Sequence, residues 1–507
     1  MAIGGALSVG LVGLKAFTVT MQAFISPGLP YFSIIGLPDT SLSEARERVK
    51  SACQASGFSW PQTRVTVNLS PASMPKRGSS YDLAIAAAVL GAAGTIPSES
   101  LLSTVVVGEV NLDGTVLPVN GLLPILLHAR EQGVERVIVP QANMAEAELI
   151  EGLDMRGVRH VGELIEMMGG EASYRLPEES PMRDASGEGA GQLVAPVAGD
   201  MAEVVGQEYA KWAMEVAAAG GHHLLMTGPP GSGKTMLASR MPGIMCPLSE
   251  SEQLEVATVR SLCGTLPAYG ISDVPPFEAP HHTSSTAALV GGGSGAITKA
   301  HRGVLFMDEA PEFSARSLQT LREPLESGYV AVSRSKGTAY YPAAFQLIMA
   351  ANPCPCGMSY GTGERCTCTQ RERQRYFARL SGPILDRIDI QVEVPPVSRI
   401  ALGEEAFEPR PGSAEIRARV VAARDTARER FSDMGWTCNA QASGTWMREH
   451  LSPAALEPVN QALESQRLSL RGADRAMRLA WTLADLKGLV SPGRDEVMQG
   501  IALRTHL

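Results

Sequence analysis

Gly228-Pro229-Pro230-Gly231-Ser232-Gly233-Lys234-Thr235 satisfies the pattern G-x-x-x-x-G-K-[ST]. Such a run turns successive backbone N–H groups toward a β-phosphate, with the N-terminus of a following helix behind them. The Lys234 ammonium then reaches β/γ oxygens, and the Thr235 hydroxyl reaches Mg2+. The flanks agree with this reading. Leu224-Leu225-Met226 forms an apolar strand before the loop, and Met236-Leu237-Ala238 continues as a helix after it. An accidental glycine-rich turn is the alternative and would need neither flank. A phosphate loop also needs an acid at the tip of a neighbouring strand. Val304-Leu305-Phe306-Met307 carries Asp308 to that position, where it can hold Mg2+ through water. Glu309 follows as a general base for the attacking water. Adjacent acids of this kind point to a hydrolase rather than a kinase, although either acid alone would also serve as a helix N-cap.

A second constellation is Cys354-x-Cys356 and Cys366-x-Cys368, with nine residues between the pairs. Gly357, Gly361 and Gly363 give the chain room to turn, so four thiolates can close on one tetrahedral Zn2+. That ion would be structural, because four thiolates leave no open coordination position. A redox-sensitive dithiol pair and simply reduced loop cysteines are the other readings. The remaining cysteines, Cys53, Cys246, Cys263 and Cys438, are scattered as small buried hydrophobes would be. Eight cysteines in 507 residues make no disulfide framework.

These residues need elements to hold them. A chain of 507 residues exceeds one ordinary core and implies several domains. Over 1–170, β-like runs (RVTVNL, TVVVGEV, RVIVP) alternate with the helical stretches SLSEARERVKSACQASG and YDLAIAAAVLGAAG. Residues 171–200 hold six acids, two bases, three prolines and four glycines, the composition of a flexible acidic linker. A second α/β region spans 201–395 with the apolar strands LLMTG, GVLFMDEA and FQLIMAAN, and a helix-rich tail spans 396–507. No apolar run is long enough to cross a bilayer. The N-terminal MAIGGALSVGLVGLKAF reads as the start of a strand pattern rather than a signal peptide, so a cytoplasmic location is expected. A net charge of −9 argues against a uniformly basic nucleic-acid binder, while leaving room for a basic channel inside a ring.

The whole set resembles an AAA+ ATPase. That resemblance implies that Asn352, ending the strand Phe345–Asn352, orients water beside the γ-phosphate. It implies that Arg387 in SGPILDRIDI acts as a finger on a neighbouring subunit's ATP, and that Arg475, Arg478 or Arg471 is the nucleotide-sensing arginine of a helical lid. An exposed salt bridge is the alternative for each arginine. More particularly, FEAPHHTSSTAALVGGGSGAITKAHRGVLFMDEAPEF and LREPLESGYVAVSRSKGTAYYPAAFQLIMAANPCPCG resemble the magnesium-chelatase-like ATPases of the YifB/ComM type. The expected fold class is therefore α/β, a P-loop AAA+ core of the helix-2-insert type with an α-helical lid. The resemblance places the insert at about Thr283 to Thr298 and a hairpin at about Val330 to Tyr341. Arg334 and Lys336 on that hairpin would touch DNA phosphates, or else form an exposed charged turn. His281 and His282, read as strand neighbours on opposite faces, are expected to be structural or to position the insert rather than to share an ion.

Residues 1–170 resemble the Lon protease domain, an α+β fold of the ribosomal S5 domain 2-like type. There a serine is activated by a lysine. Ser80 falls at the nucleophile, but Leu123 occupies the lysine position, and neither Lys76 nor Arg77 replaces it, so a catalytically inactive domain is expected. The resemblance implies an ATP- and Mg2+-dependent homo-oligomer, a hexameric ring acting on single-stranded, forked or branched DNA, as a branch-migration helicase in recombination and natural transformation. Chelatase-like metal insertion or protein remodelling is the alternative, and Lon-like proteolysis the third.

Overall fold

A computed structural model describes residues 2–36, 40–74, 76, 78–176, 199–267, 270–334, 337–361, 363–380, 382–396 and 410–504. Most of the linker expected at 171–200 lies outside these. Contacts divide the chain into two units. One comprises Met1–Leu193, Leu254–Ile271 and Ala331–Tyr341; the other comprises Val194–Gln253, Ser272–Val330 and Pro342–Leu507.

The first unit is built on a seven-stranded sheet. Its strands are β1 (Ala2–Val12), β2 (Lys15–Ser26), β3 (Tyr31–Ile35), β4 (Arg64–Ser70), β5 (Thr104–Val106), β8 (Arg136–Pro140) and β9 (Asp154–Val158), in the order β3-β4-β2-β1-β5-β8-β9. A two-stranded ribbon, β6 (Glu109–Val110) with β7 (Val116–Leu117), lies apart from it. The apolar N-terminal run is β1, paired antiparallel to β2 along its whole length from Ala2↔Ile25 to Val12↔Lys15. Helix α1 (Thr40–Ala55) and helix α2 (Asp82–Ala92) are the two helices expected from the alanine-rich and amphipathic stretches. Every residue of α2 is buried. Its alanines let β1 approach so closely that a Cβ on Gly4 would sit 2.2 Å from the Ala88 carbonyl oxygen. Helix α3 (Leu122–Glu131) completes a second apolar layer with β5 and β8.

In the second unit five short strands are all parallel. They are β10 (Leu224–Thr227), β11 (Phe277–Glu278), β12 (Val304–Met307), β15 (Gln346–Ala351) and β16 (Ile390–Glu393), in the order β11-β12-β15-β10-β16. β10, β12 and β15 are buried at every residue, as a parallel sheet covered on both faces requires. Helices α4 (Glu208–Gly220) and α5 (Lys234–Ile244) flank β10 in chain order, α6 (Glu250–Cys263) falls for most of its length in the first unit, and α7 (Gln370–Ala378) precedes β16. The tail is helical, with α8 (Ser413–Arg430), α9 (Leu470–Leu486) and α10 (Arg494–Arg504) its longest described elements besides Pro453–Glu464. Ile416 and Val420 of α8, Leu479 and Leu483 of α9 and Leu503 of α10 share one apolar core with Leu224, Met226 and Ile348 of the sheet. A hairpin of β13 (Tyr329–Arg334) and β14 (Gly337–Pro342) covers the stretch expected to form one. Lys336 and the side chain of Arg334 lie outside the described residues, so their proposed phosphate contacts have no geometry here. The expected insert region carries two short helices, Thr286–Val290 and Ala296–Lys299.

Candidate nucleotide site

Three adjacent strands deliver the site. The register pairs Thr227 with Ala351, and Met307 with Met349. The loop after β10, Asp308 after β12 and Asn352 after β15 therefore emerge at one edge, the carboxyl ends of a parallel sheet, where such folds take their ligands. The side chains meet there. Thr235 Oγ1 donates to Asp308 Oδ2 at 2.7 Å, the two oxygens expected around one Mg2+. Lys234 Nζ donates to the Gly228 and Pro229 carbonyls at 2.7 and 2.9 Å and to Asn352 Oδ1 at 3.4 Å. Its ammonium is thus folded onto the loop, in the place an anion would compete for. Burial lowers the Lys234 pKa, and the Asp308 and Glu309 charges act the other way. Gly231 and Gly233 both take positive φ, 77° and 94°, which lets the loop of Gly228 to Ser232 wrap before α5 begins at Lys234.

Glu309 lies just beyond the β12 tip in the left-handed region, φ 50°. His282 Nδ1 is 3.1 Å from Glu309 Oε2. This corrects the strand reading of the two histidines. They lie on a turn, and their rings sit side by side, centroids 4.2 Å apart and tilted by 33°, instead of facing opposite ways. The sequence signal for His282 was present, but a contact with Glu309 depends on the chain crossing from β11 to β12.

The arginines go elsewhere. Arg387 and Asp389 precede β16, and Leu224 pairs with Ile390. They therefore lie at the amino edge of the sheet, one strand length (roughly 10 Å) from the edge that carries the phosphate loop. Arg387 is buried and ion-paired to Glu326. Arg475 Nη1 donates to the Arg387 carbonyl at 2.9 Å and pairs with Asp389. Arg387, Arg471, Arg475 and Arg478 line one cavity of about 290 Å3 with Asp386, Asp389 and Asp474. Asp389 is held far below the usual carboxylate range: burial opposes its charge, and Arg475 and His222 outweigh that. Within one chain, then, the lid arginines join Arg387 and not the phosphate loop.

Beside the loop, the four cysteine sulfurs all lie within 4.8 Å of one another. Among them Cys354–Cys356 lie 3.3 Å apart, Cys354–Cys366 3.7 Å and Cys356–Cys366 3.8 Å. Backbone N–H groups of Met358 and Thr367 aim at the Cys356 sulfur and hold its thiol down at about 5. This donor set has the chemistry to hold a metal ion.

Among the described residues, the first unit assembles no serine–lysine pair. Leu123 is fully buried, and its backbone N–H donates to Ser261 Oγ at 3.1 Å and to Glu146 Oε1 at 3.2 Å. Lys76 is buried too, with Nζ spent on the Pro71 carbonyl and, at 3.1 Å, the Met74 carbonyl. Arg77 lies outside the described residues. Ser79, beside the expected nucleophile Ser80, donates its hydroxyl to Glu109.

Residues 200–402 match the family model for magnesium chelatase, subunit ChlI. Residues 21–143 match that for subunit ChlI of Mg-chelatase, and residues 410–504 that for the ChlI C-terminal region. An uncharacterized protein of Mycobacterium tuberculosis is 46% identical over 99% of both chains. YifB of Salmonella typhimurium is 37% identical over 97% of this chain and 95% of its own. Competence protein ComM of Haemophilus influenzae is 36% identical over 94% and 92%. Lon protease 1 of Herpetosiphon aurantiacus matches a shorter stretch, 31% identical over 126 residues.

Proposed function

The chain belongs to the magnesium-chelatase-like AAA+ family that also holds YifB and ComM, and from that premise we propose an ATP-hydrolysing ring motor that acts on DNA. The observation that carries ATP hydrolysis is the meeting of Thr235 and Asp308 at 2.7 Å beside Lys234 and Asn352. Thr235 and Asp308 would hold Mg2+, which when bound would supply charge neutralisation at the phosphates. Lys234 leaves the Gly228 and Pro229 carbonyls for phosphate oxygens when ATP enters. Asn352 orients the water, and Glu309 takes its proton.

In this reading Arg387 serves the ATP of a neighbouring subunit, since its own phosphate loop lies at the opposite sheet edge. The arginine cavity supports extending that role: Arg475 fixes the Arg387 backbone, and Arg471 and Arg478 add positive charge to the same trans surface. A closed ring of such contacts, hexameric by family resemblance, would drive the β13–β14 hairpin along a strand. The name of the ComM relative, a competence protein, supports a role in competence, and the activity we propose with it is branch migration during recombination of transforming DNA. The cysteine cluster we assign to structural zinc.

Metal insertion is the second reading, favoured by the chelatase family model over 200–402. Steady-state ATPase rates with single-stranded, forked and four-way-junction DNA, across a salt series, separate the two. A DNA motor is stimulated, with affinity falling steeply as salt rises. No response to any DNA would overturn it and favour the chelatase-like reading.

A further inference from the structure

Gly357 is the turn residue directly after the first cysteine pair, at φ 76°, with its N–H bonded to the Cys354 carbonyl at 2.9 Å. A Cβ placed on it would lie 2.6 Å from Cδ of Pro230, in the phosphate loop. The cysteine turn therefore rests directly on the loop's lip. The second pair leads straight into α7, whose N-terminus is closed by a capping box. Thr369 Oγ1 accepts from the Glu372 N–H at 3.2 Å, and Glu372 accepts from the Thr369 N–H at 2.7 Å. Arg373 of α7 returns to Ser359 Oγ at 3.0 Å, tying the helix to the first turn.

The same helix reaches the other two parts of the site. Tyr376 is buried, and its phenol lies near enough to the Asn352 backbone N–H for that group to favour its ionised form against burial. Arg379, next after α7, donates to Glu312 Oε2 at 3.0 Å, and the Glu312 N–H is bonded to the Glu309 carbonyl at 2.7 Å. The stretch from the cysteine turn through α7 to Arg379 thus reaches the phosphate loop, the strand end carrying Asn352 and the turn after Glu309.

The sulfur geometry suits an ion. Four thiolates at about 2.3 Å from Zn2+ in a tetrahedron stand about 3.8 Å apart; the sulfurs of Cys354, Cys356 and Cys366 are separated by 3.3, 3.7 and 3.8 Å, and all four lie within 4.8 Å of one another. Without an ion, Cys356, Cys366 and Cys368, which are not fully buried, have little apolar burial to hold the turn closed.

We infer that a zinc ion on Cys354, Cys356, Cys366 and Cys368 sets the affinity of the nucleotide site, by pinning the turn that supports Pro230 and the helix that supports Asn352. The inference rests on the zinc and ATP readings given above. Ligand loss lets the turn swing off Pro230, and the loop then spends binding energy on ordering itself when nucleotide enters.

The test uses the full chain, with zinc measured by mass spectrometry and affinity by a fluorescent ATP analogue in constant Mg2+. The expectation is one zinc per chain. Stripping it with a zinc-selective chelator should weaken nucleotide binding at least tenfold, and Zn2+ alone, not further Mg2+, should restore it. The Cys366→Ser, Cys368→Ser double variant should lose both zinc and affinity. Gly357→Ala guards against simple misfolding: it should keep a full zinc equivalent, because every ligand is present, yet bind nucleotide more weakly. Zinc well below one equivalent in a chain that binds nucleotide tightly overturns the metal assignment. Full zinc whose removal leaves affinity unchanged overturns the coupling and spares the ATP reading. Zinc-loaded protein that binds no nucleotide overturns the ATP reading itself.

Discussion

Glu309 keeps a backbone conformation that costs a non-glycine residue about 1–3 kcal/mol, and such strain persists only where surroundings over-determine it. Its carboxylate is half exposed and rests on His282. A general base that must meet water needs that freedom, but it also needs a fixed bearing, and the imidazole supplies one. Glu309→Gln is expected to bind ATP normally and to lose turnover by at least ~100-fold, the scale of general-base loss. His282→Ala should lower kcat about tenfold through misorientation alone, with nucleotide affinity unchanged. Steady-state kinetics beside direct binding would tell these apart from a folding defect. Undiminished turnover in Glu309→Gln would sink the base assignment, and a weakened affinity with intact kcat would refute the role given to His282. Asp308, Lys234 and Thr235 were legible from spacing alone, because the phosphate loop and the acid-tipped strand are local patterns. His282 was visible as a residue but not as a partner. Its contact is made across two strands that sequence distance does not connect.

At the scale of elements, β15, β10 and β16 are knotted together where they begin. His223 precedes β10. Its Nδ1 accepts from the Leu347 N–H at 3.0 Å, and its carbonyl accepts from the Asp389 and Ile390 N–H groups. Desolvation, aided by Arg475 and His222, holds the ring's pKa at about 4 against an ordinary 6.5, so the imidazole is neutral in the folded strand set. The unfolded chain takes up a proton as pH drops below 6.5, and the folded chain does so only near 4. The stabilisation is whole above 6.5 and is lost as pH falls from there toward 4. The slope from this ring is up to ~1.4 kcal/mol per pH unit. Denaturant midpoints at pH 7.5 and 5 should fall apart in the parent and lie closer together in His223→Gln, whose amide oxygen keeps the acceptor without the titration. Equal acid losses in the two proteins would show that His223 is not the sensitive group. The apolar runs that became β10, β12 and β15 were readable because strands buried on both faces have no polar side to hide them. The order β11-β12-β15-β10-β16 was not, since pairing is set by which crossovers pack against the sheet.

For the molecule as a whole, the sheet has two working edges. Arg387 lies at the amino edge among three further arginines; if ATP is taken at the carboxyl edge as proposed, one chain would carry both halves of a site that it cannot close on itself. Mixing inactive variants tests this. Lys234→Ala keeps an intact Arg387 but binds no ATP, and Arg387→Ala binds ATP but lacks the finger. Mixed assemblies should regain part of the parent ATPase, whereas each variant alone stays near background. Absence of any recovery, with mixed oligomers verified by size, would overturn action between subunits.

By itself the sequence determined the chemistry available: a phosphate loop, paired acids, an amide at a strand end and four clustered thiols. Each is a local pattern whose residues lie within a few positions of one another, so short-range geometry is enough to read them. It also counted against a serine–lysine pair, because Leu123, at the position the Lon resemblance gives the lysine, has no proton acceptor. Only the tertiary structure decided which parts meet. It brought the cysteine turn onto Pro230 and Tyr376 onto Asn352, and it sent Arg471, Arg475 and Arg478 to Arg387 rather than to the phosphate loop. Those outcomes depend on how parallel strands order themselves and which ends of them a packed helix can reach. Residues more than a hundred positions apart settle that by filling one core together.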